Sequence, residues 1–253
     1  MTLTADTAVH LIIPCFRESR RVRPFLTDLC REFSQVAGVS ILVVDDGSGE
    51  EETARMRTLV EEFRPANPML RELLALPQNV GKGGAVYAGW EAHRSEPWLM
   101  FVDADGSVPA TEVARLIQQL RADPVTGRAY FASRVTMLGR RVERMWHRDV
   151  MGQIFHWVVN FLLGLPAHDT QCGCKLVPRA AFERARPGLS LHGFAFDLDL
   201  LLGLQDAGCE VIEVPVDWHE EPGGTIRLVS DSWKMLKDVW RLRRRRRAVQ
   251  TQS

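Results

Sequence analysis

Leu99-Met100-Phe101-Val102 is an unbroken apolar run that stops at Asp103-Ala104-Asp105-Gly106. Four apolar residues without alternation suit a strand buried on both faces, as found inside a parallel sheet covered by helices. The two carboxylates stand at i and i+2, so in extended backbone they point to one side and can converge on one object. Two anions at the C-terminal end of such a strand, where open α/β sheets bind ligands, point to a divalent cation and the phosphates it carries. A D-x-D alone is more often a polar turn with helix-capping aspartates, and the neighbouring segments decide between the two readings.

The same arrangement recurs along the first half of the chain. Residues 9–13 form an apolar strand closed by Pro14, and Cys15-Phe16-Arg17-Glu18 follows as a loop at its C-terminal edge. Phe25, Leu26, Leu29 and Phe33 mark one face of a helix, with Pro24 tolerated near its first turn. Residues 40–44 are a second unbroken apolar strand ending in Asp45-Asp46-Gly47-Ser48, and the helix expected over 51–63 opens on an acidic turn that suits its dipole. A short strand at 73–76 leads into Pro77-Gln78-Asn79-Val80-Gly81-Lys82-Gly83-Gly84. Glycines on both sides of a lysine, ahead of a helix over 85–93, read as a phosphate-facing turn, although the spacing is not that of a P-loop. After the D-x-D, a helix at 111–121 returns to a strand at 129–134. Repeated βα units predict a mostly parallel sheet with right-handed crossovers, so the acidic and glycine-rich loops share one edge. One nucleotide lying across that edge would account for all of them.

The second half is less regular. Residues 148–163 read as a helix in which Asp149, Gln153, His156 and Asn160 form a narrow polar stripe on an otherwise apolar and aromatic surface. Two readings stand side by side, a core helix and a helix lying in a membrane interface. Asp169-Thr170-Gln171-Cys172-Gly173-Cys174-Lys175 begins a strand that runs to Val177. Phe196-Asp197-Leu198-Asp199 opens a helix ending near Ala207, with Gly208 as its C′ residue, and residues 210–218 form an edge strand bent at Pro215. A link at 223–227 precedes a last helix carrying Val229, Trp233, Leu236 and Trp240. The expected organisation is one domain over 1–230, then a C-terminal helix and basic tail over 231–253.

The 32 basic and 32 acidic residues balance overall, but residues 241–247 hold six arginines and no acid, leaving 26 basic against 32 acidic elsewhere. A basic end on an acidic body points to an anionic surface met by that end, and disfavours uniform nucleic-acid binding. The five cysteines, odd in number and mostly within apolar segments, suit buried thiols in a reducing compartment. Cys172-Gly173-Cys174 lacks zinc-knuckle spacing. Neither a signal peptide nor the roughly 18 apolar residues of a spanning helix is evident.

In order, P-C-F-R-E, V-V-D-D-G-S, N-V-G-K-G-G, D-A-D-G, A-S-R, D-T-Q-C-G-C-K, F-D-L-D and E-V-P-V-D-W resemble glycosyltransferase family 2. Within it they look most like the dolichyl-phosphate β-glucosyltransferases and their prokaryotic polyprenyl-phosphate relatives. The resemblance runs from about Val9 to Arg243. It implies a GT-A fold, with a Rossmann-like, mostly parallel central sheet and helices on both faces. It also implies a nucleotide-sugar donor, Mg2+ or Mn2+ as cofactor, and inversion at the sugar carbon. The nucleotide is expected against Pro14, Glu18, Asp46 and Lys82. Asp103 and Asp105 take the D-x-D role, with Asp105 ahead of Asp103 as direct metal ligand. Arg134 matches the arginine that closes the fifth strand, and Arg148 one that meets the acceptor phosphate. Gln171, Lys175, Asp197 and Asp199 match positions lining the donor sugar and the acceptor region. Two departures stand out. Arg17 occupies the place of the usual asparagine, and Gly106 follows the D-x-D where many mannosyl-type members carry Leu-Gln. With D-T-Q-C-G, the second departure favours UDP-glucose over GDP-mannose.

The chemistry agrees with these residue types. A carboxylate-held cation neutralises charge on the departing nucleoside diphosphate. A phosphate monoester acceptor is already an anionic nucleophile that needs arginines to hold it, and Arg134, Arg148, Lys175 and Arg227 are candidates. A hydroxyl acceptor needs a general base. The expected partners are a nucleotide sugar, a polyprenyl phosphate and the cytoplasmic face of a membrane met peripherally, without nucleic acid. The alternative is a transferase of the same fold using GDP-mannose, or a soluble hydroxyl acceptor with Asp197 or Asp199 as base. A phospho-receiver module would be about half this length.

Overall fold

The computed structural model describes residues 7–134, 142–143, 169, 171–193, 195–219 and 237–244. The helix expected over 148–163, with Arg148, lies outside these residues. So do the link at 223–227 with Arg227, the positions Val229, Trp233 and Leu236, and arginines 245–247.

Its strands are β1 (Val9–Cys15), β2 (Val39–Asp45), β3 (Leu74–Ala75), β4 (Trp98–Val102), β5 (Arg128–Ser133), β6 (Val142–Glu143), β7 (Cys174–Pro178), β8 (Glu210–Pro215) and β9 (Trp218–His219). Seven of them form one sheet in the order β3-β2-β1-β4-β7-β5-β8, while β6 and β9 pair separately. Neighbours are parallel except β7, which runs antiparallel to both β4 and β5. The unbroken apolar runs of β2 and β4 are buried along their whole length, as strands covered on both faces must be.

Two helical layers supply that cover. Alternate strand residues Leu11, Ile13, Ile41, Val43, Met100 and Val102 pack under helices α1 (Val22–Phe33), α2 (Glu50–Phe63) and α4 (Ala110–Ala122). Ile12, Leu42, Val44, Leu99 and Phe101 face the other way, under α3 (Lys82–Ala92), α5 (Arg179–Ala185) and α6 (Phe196–Asp206). In α1 the buried positions Val22, Phe25, Leu26, Leu29, Cys30 and Phe33 recur at three- and four-residue spacing, one stripe of a helix. Pro24 falls in the first turn, where no intrahelical N–H is needed. Gly208 closes α6 at φ +76°, in the left-handed conformation of a C′ glycine. All five cysteines are unpaired and buried. Among the described residues no helix is long and apolar enough to cross a membrane.

Helix α3 starts three residues earlier than its sequence suggests, and the reason is packing. A Cβ at position 83 would lie 2.4 Å from that of Phe196, and one at position 84 would lie 2.7 Å from Val80 Cγ2. These glycines are therefore helical residues that let α3 approach its neighbours, not a flexible approach to the helix. Their amides donate to the carbonyl of His192, at 2.7 Å from Gly83 and 3.3 Å from Gly84. The turn thus closes on the protein's own carbonyl, and the phosphate-facing reading of its backbone is corrected. Only the Lys82 side chain carries a charge from it towards the sheet edge.

Candidate active site

The C-terminal ends of β1, β2, β4 and β5 meet at one edge, and β7 enters the sheet there from the opposite direction. Asp103 follows β4 directly. Its N–H donates to the carbonyl of Gly173 at 2.8 Å, and its carboxylate occupies the space that a side chain at 173 would fill, 1.9 Å from the position of a Cβ. Lys82, the first residue of α3, brings Nζ to 2.5 Å from Asp103 Oδ1. Asp105 lies in the turn beyond, where Oδ1 accepts the N–H of Ser107 at 2.9 Å and Gly106 adopts φ +76°.

Lys82 and Asp103 continue into a buried chain of charge. The Lys82 ammonium lies 5.4 Å from the centre of the Phe101 ring and 5.8 Å from that of Phe196. Burial works against that charge, but Asp103 and then Asp197 outweigh it and hold the ammonium above its usual pKa. Lys175, on β7, is wholly buried. It sits 5.2 Å from the Phe101 ring centre and 5.0 Å from that of Phe131. Its Nζ pairs with Asp197 Oδ1 at 2.6 Å and donates to the Cys172 carbonyl at 2.8 Å. Burial raises the Asp197 carboxyl, against the pull of Lys175 and Lys82. Asp199, two residues further on, serves elsewhere: its Oδ2 accepts the backbone N–H of Ser190 at 2.7 Å and of Leu191 at 2.8 Å. This fixes the loop that delivers the His192 carbonyl to α3.

The β1 and β2 edges contribute three expected residues. Pro14 lies half-buried opposite Val44. Asp46 is engaged by the turn ahead of α3: Oδ1 accepts Val80 N–H at 2.8 Å, and Oδ2 accepts Gly81 N–H and Asn79 Nδ2, each at 3.0 Å. Burial nonetheless raises its carboxyl. Beside it, buried Asp45 accepts the hydroxyls of Ser48 and Thr53. Glu18 Oε1 accepts Arg21 Nη1 at 3.0 Å, while its Oε2 is buried without a hydrogen-bond partner. Burial, and the like charges of Asp105, Glu52 and Asp103 against the opposing pull of Arg21, raise its pKa.

At the β5 end, Arg134 makes a two-pronged contact with Asp169, Nε to Oδ2 at 2.7 Å and Nη2 to Oδ1 at 2.8 Å, over the Trp218 ring at 5.4 Å. Burial opposes the Asp169 charge, but Arg134 outweighs it and holds the carboxyl at about 2. Asp169 Oδ1 also accepts the N–H of half-buried Gln171 at 3.2 Å. Arg148 lies outside the described residues. Asp103, Lys82, Lys175 and Asp197 are therefore brought into one chain, with Asp105 and Glu18 close enough for their charges to be felt, while Asp199 is turned to loop support. Sequence reasoning passed over Asp169, Gly173 and His192. The first two stand inside D-T-Q-C-G-C-K, but His192 acts through its carbonyl, which no side-chain pattern reveals.

Comparison with known proteins gives the same direction. The family described as Glycosyl transferase family 2 matches residues 10–186. The dolichyl-phosphate beta-glucosyltransferase of Saccharomyces cerevisiae is 32% identical over 244 residues, covering 91% of this chain and 72% of that protein. The Dictyostelium discoideum protein of the same name is 30% identical, covering 93% and 73%. Glucosyl-3-phosphoglycerate synthase from Mycobacterium tuberculosis, solved with Mn2+, uridine diphosphate and phosphoglyceric acid, superposes with a TM-score of 0.66 at 13% identity. That match covers 93% of this chain and 78% of the other. The sheet, its two helical layers and these likenesses identify a GT-A fold, and the chain belongs to glycosyltransferase family 2.

Proposed function

We propose that this glycosyltransferase moves glucose from UDP-glucose to a polyprenyl phosphate of the dolichyl type, with inversion, at the cytoplasmic face of a membrane. The names of its relatives support the sugar and the lipid. The observation that carries the acceptor class is what the two candidate bases are doing. Asp197 is buried against Lys175, and Asp199 holds two backbone amides. A hydroxyl acceptor would require one of them to take a proton, whereas a lipid phosphate arrives as an anion and requires none.

The edge suits a divalent cation. Asp103 and Asp105 offer hard carboxylate oxygens of the kind that bind Mg2+ or Mn2+, and the unpartnered buried Oε2 of Glu18 adds anionic field beside them. No group of three or more His, Cys, Asp or Glu among the described residues forms a ready-made cage, which fits an ion that shares its coordination with substrate phosphates. Such an ion, held by Asp105 and Asp103, would neutralise charge on the departing diphosphate. Lys82 adds a fixed positive charge on the same side. Glu18 and Pro14 border the nucleotide, Asp46 shapes the turn that presents Lys82, and Gln171 lines the sugar. Arg134, set in direction by Asp169, and Arg148 receive the acceptor phosphate through charge-assisted hydrogen bonds. Alignment of that phosphate opposite the leaving group supplies much of the acceleration.

A membrane-facing end is supported by the helical residues 237–244. Val239 and Leu242 are buried in the core, whereas Trp240 is 56% exposed with the Arg244 guanidinium 4.7 Å from its ring centre. A fixed helix that presents an aromatic ring among arginines suits an anionic lipid surface.

The test incubates the protein with labelled UDP- and GDP-sugars, Mg2+ or Mn2+ and short polyprenyl phosphates, followed by organic extraction. Label from UDP-glucose in the organic phase is expected. Asp105→Ala should remove it without unfolding the protein. Arg134→Ala should lose roughly 1.5–3 kcal/mol per missing charge-assisted bond, and Asp199→Asn, which keeps an acceptor oxygen for the two amides, should retain turnover. The reverse order of the last two variants would sink the phosphate-acceptor reading.

A further inference from the structure

Asp103 and Asp105 both add negative charge to this edge, where each is felt by Lys82 and by Glu18, so a cation is favoured there whether or not a metal is bound. The structure supplies one from within. Lys82 Nζ lies 2.5 Å from Asp103 Oδ1, and both ends of this pair are fixed. The turn before Lys82 is held by Asp46 through Val80 and Gly81, and the first amides of α3 after Lys82 are capped by His192. Asp103 is held through its N–H on Gly173 and has no room to retreat past that residue. The ammonium lies over the Phe101 and Phe196 rings, and the Lys82 side chain as a whole is 20% exposed.

We infer that Lys82 is the resident counter-ion of Asp103, competing with the divalent metal for that carboxylate and so making metal binding depend on the nucleotide diphosphate. The inference rests on the metal-assisted reading above. With Lys82 in place, the ion finds little more than Asp105 in the protein alone. When a nucleoside diphosphate arrives, its oxygens complete the coordination and its negative charge gives the ammonium a second partner. Asp103 is then shared with the metal instead of being claimed by lysine. The enzyme would take up metal together with donor, and release both after transfer. This assigns to Lys82 a positioning role that a lysine bound only to phosphate would not have.

The experiment is Mn2+ binding, followed by electron paramagnetic resonance and calorimetry, with and without UDP, for wild type, Lys82→Met, Lys82→Arg and Asp105→Ala. Wild type should bind Mn2+ weakly alone and far more tightly with UDP. Lys82→Met, whose thioether can lie on the same two rings, should bind Mn2+ alone about tenfold more tightly, the equivalent of about 1.4 kcal/mol, and should gain less from UDP. Lys82→Arg should behave like wild type, and Asp105→Ala should lose binding in both conditions. If Lys82→Met does not fold, Lys82→Gln carries the same expectation. Unchanged or weaker Mn2+ binding by the folded Lys82 variant, with Asp105→Ala still defective, overturns the counter-ion role alone. Absence of Mn2+ binding by wild type even with UDP overturns the metal reading and this inference with it.

Discussion

Gly173→Ala tests how the edge holds its first aspartate. An added Cβ would stand 1.9 Å from Asp103 Oδ2 and 2.3 Å from Cγ, while ordinary contact begins at 3.4 Å. One of the two groups must therefore move by about 1.5 Å, the difference between 3.4 and 1.9 Å. The backbone at 173 is poorly placed to do so. Its carbonyl accepts the Asp103 N–H at 2.8 Å, and the next residue, Cys174, is paired with Val102 in the sheet. The carboxylate must swing instead, which disturbs its 2.5 Å contact with Lys82. Overpacking of this kind costs about 1–3 kcal/mol of stability, and misplacement of a site group by an ångström can cost about 10²-fold in rate. The assay is kcat with donor and lipid acceptor at saturation, with thermal unfolding measured in parallel. Gly127→Ala, where nothing lies within 4 Å of the new Cβ, is the control. Near-wild-type turnover in a folded Gly173→Ala protein would refute the claim that the site demands Asp103 where it is.

Arg17 is the one non-glycine residue at positive φ among the described residues, at +57°. Since asparagine tolerates that region better, Arg17→Asn should raise stability by up to about 1 kcal/mol in urea unfolding, and a lower midpoint would count against it. Asp169 has a folded pKa of about 2 against an ordinary 3.8. Its ionised form therefore stabilises the fold above about pH 4, and the contribution, on the order of 2 kcal/mol, fades as pH falls through about 2. The stability gap between wild type and Asp169→Asn should close on acidification, and a gap constant with pH would contradict this. Replacing Arg241, Arg243 and Arg244 by glutamine, which spares buried Leu242, should weaken binding to anionic liposomes by about 1 kcal/mol per residue before screening. It should also flatten the salt dependence. Unchanged affinity would make that end an ordinary solvated helix.

The parts of the fold that could be read from the chain are those encoded locally. The runs at β1, β2 and β4 announce burial on both faces, the α1 stripe announces its inward side, and Gly208 announces a helix end. The direction of β7 could not be read this way, because Cys174–Pro178 would have the same apolar character whichever way it ran. Direction depends on how the chain travels between β5 and β7. Gly83 and Gly84 misled because glycine favours loops, and only tertiary contact with Phe196 and Val80 explains them inside a helix. At the site, acidic and basic residues were marked by their place at strand ends, but not their partners. Nothing near Asp46 in sequence signals Val80 and Gly81, and nothing near Asp199 distinguishes a loop clamp from a base. Those assignments are made by distances across the fold.

The reversed strand β7 also bears on how the molecule can be made. During synthesis β1, β2, β3 and β4 can align as soon as they emerge, since each has a neighbour among them. β5 cannot join, because both strands that border it, β7 and β8, come later in the chain. Until residue 178 is available, β4 presents an open edge of backbone amides and carbonyls along five buried apolar residues. Such an edge invites pairing with another chain. The nascent protein therefore passes through a stretch of synthesis in which this wholly apolar strand is half-finished and open to pairing with another chain.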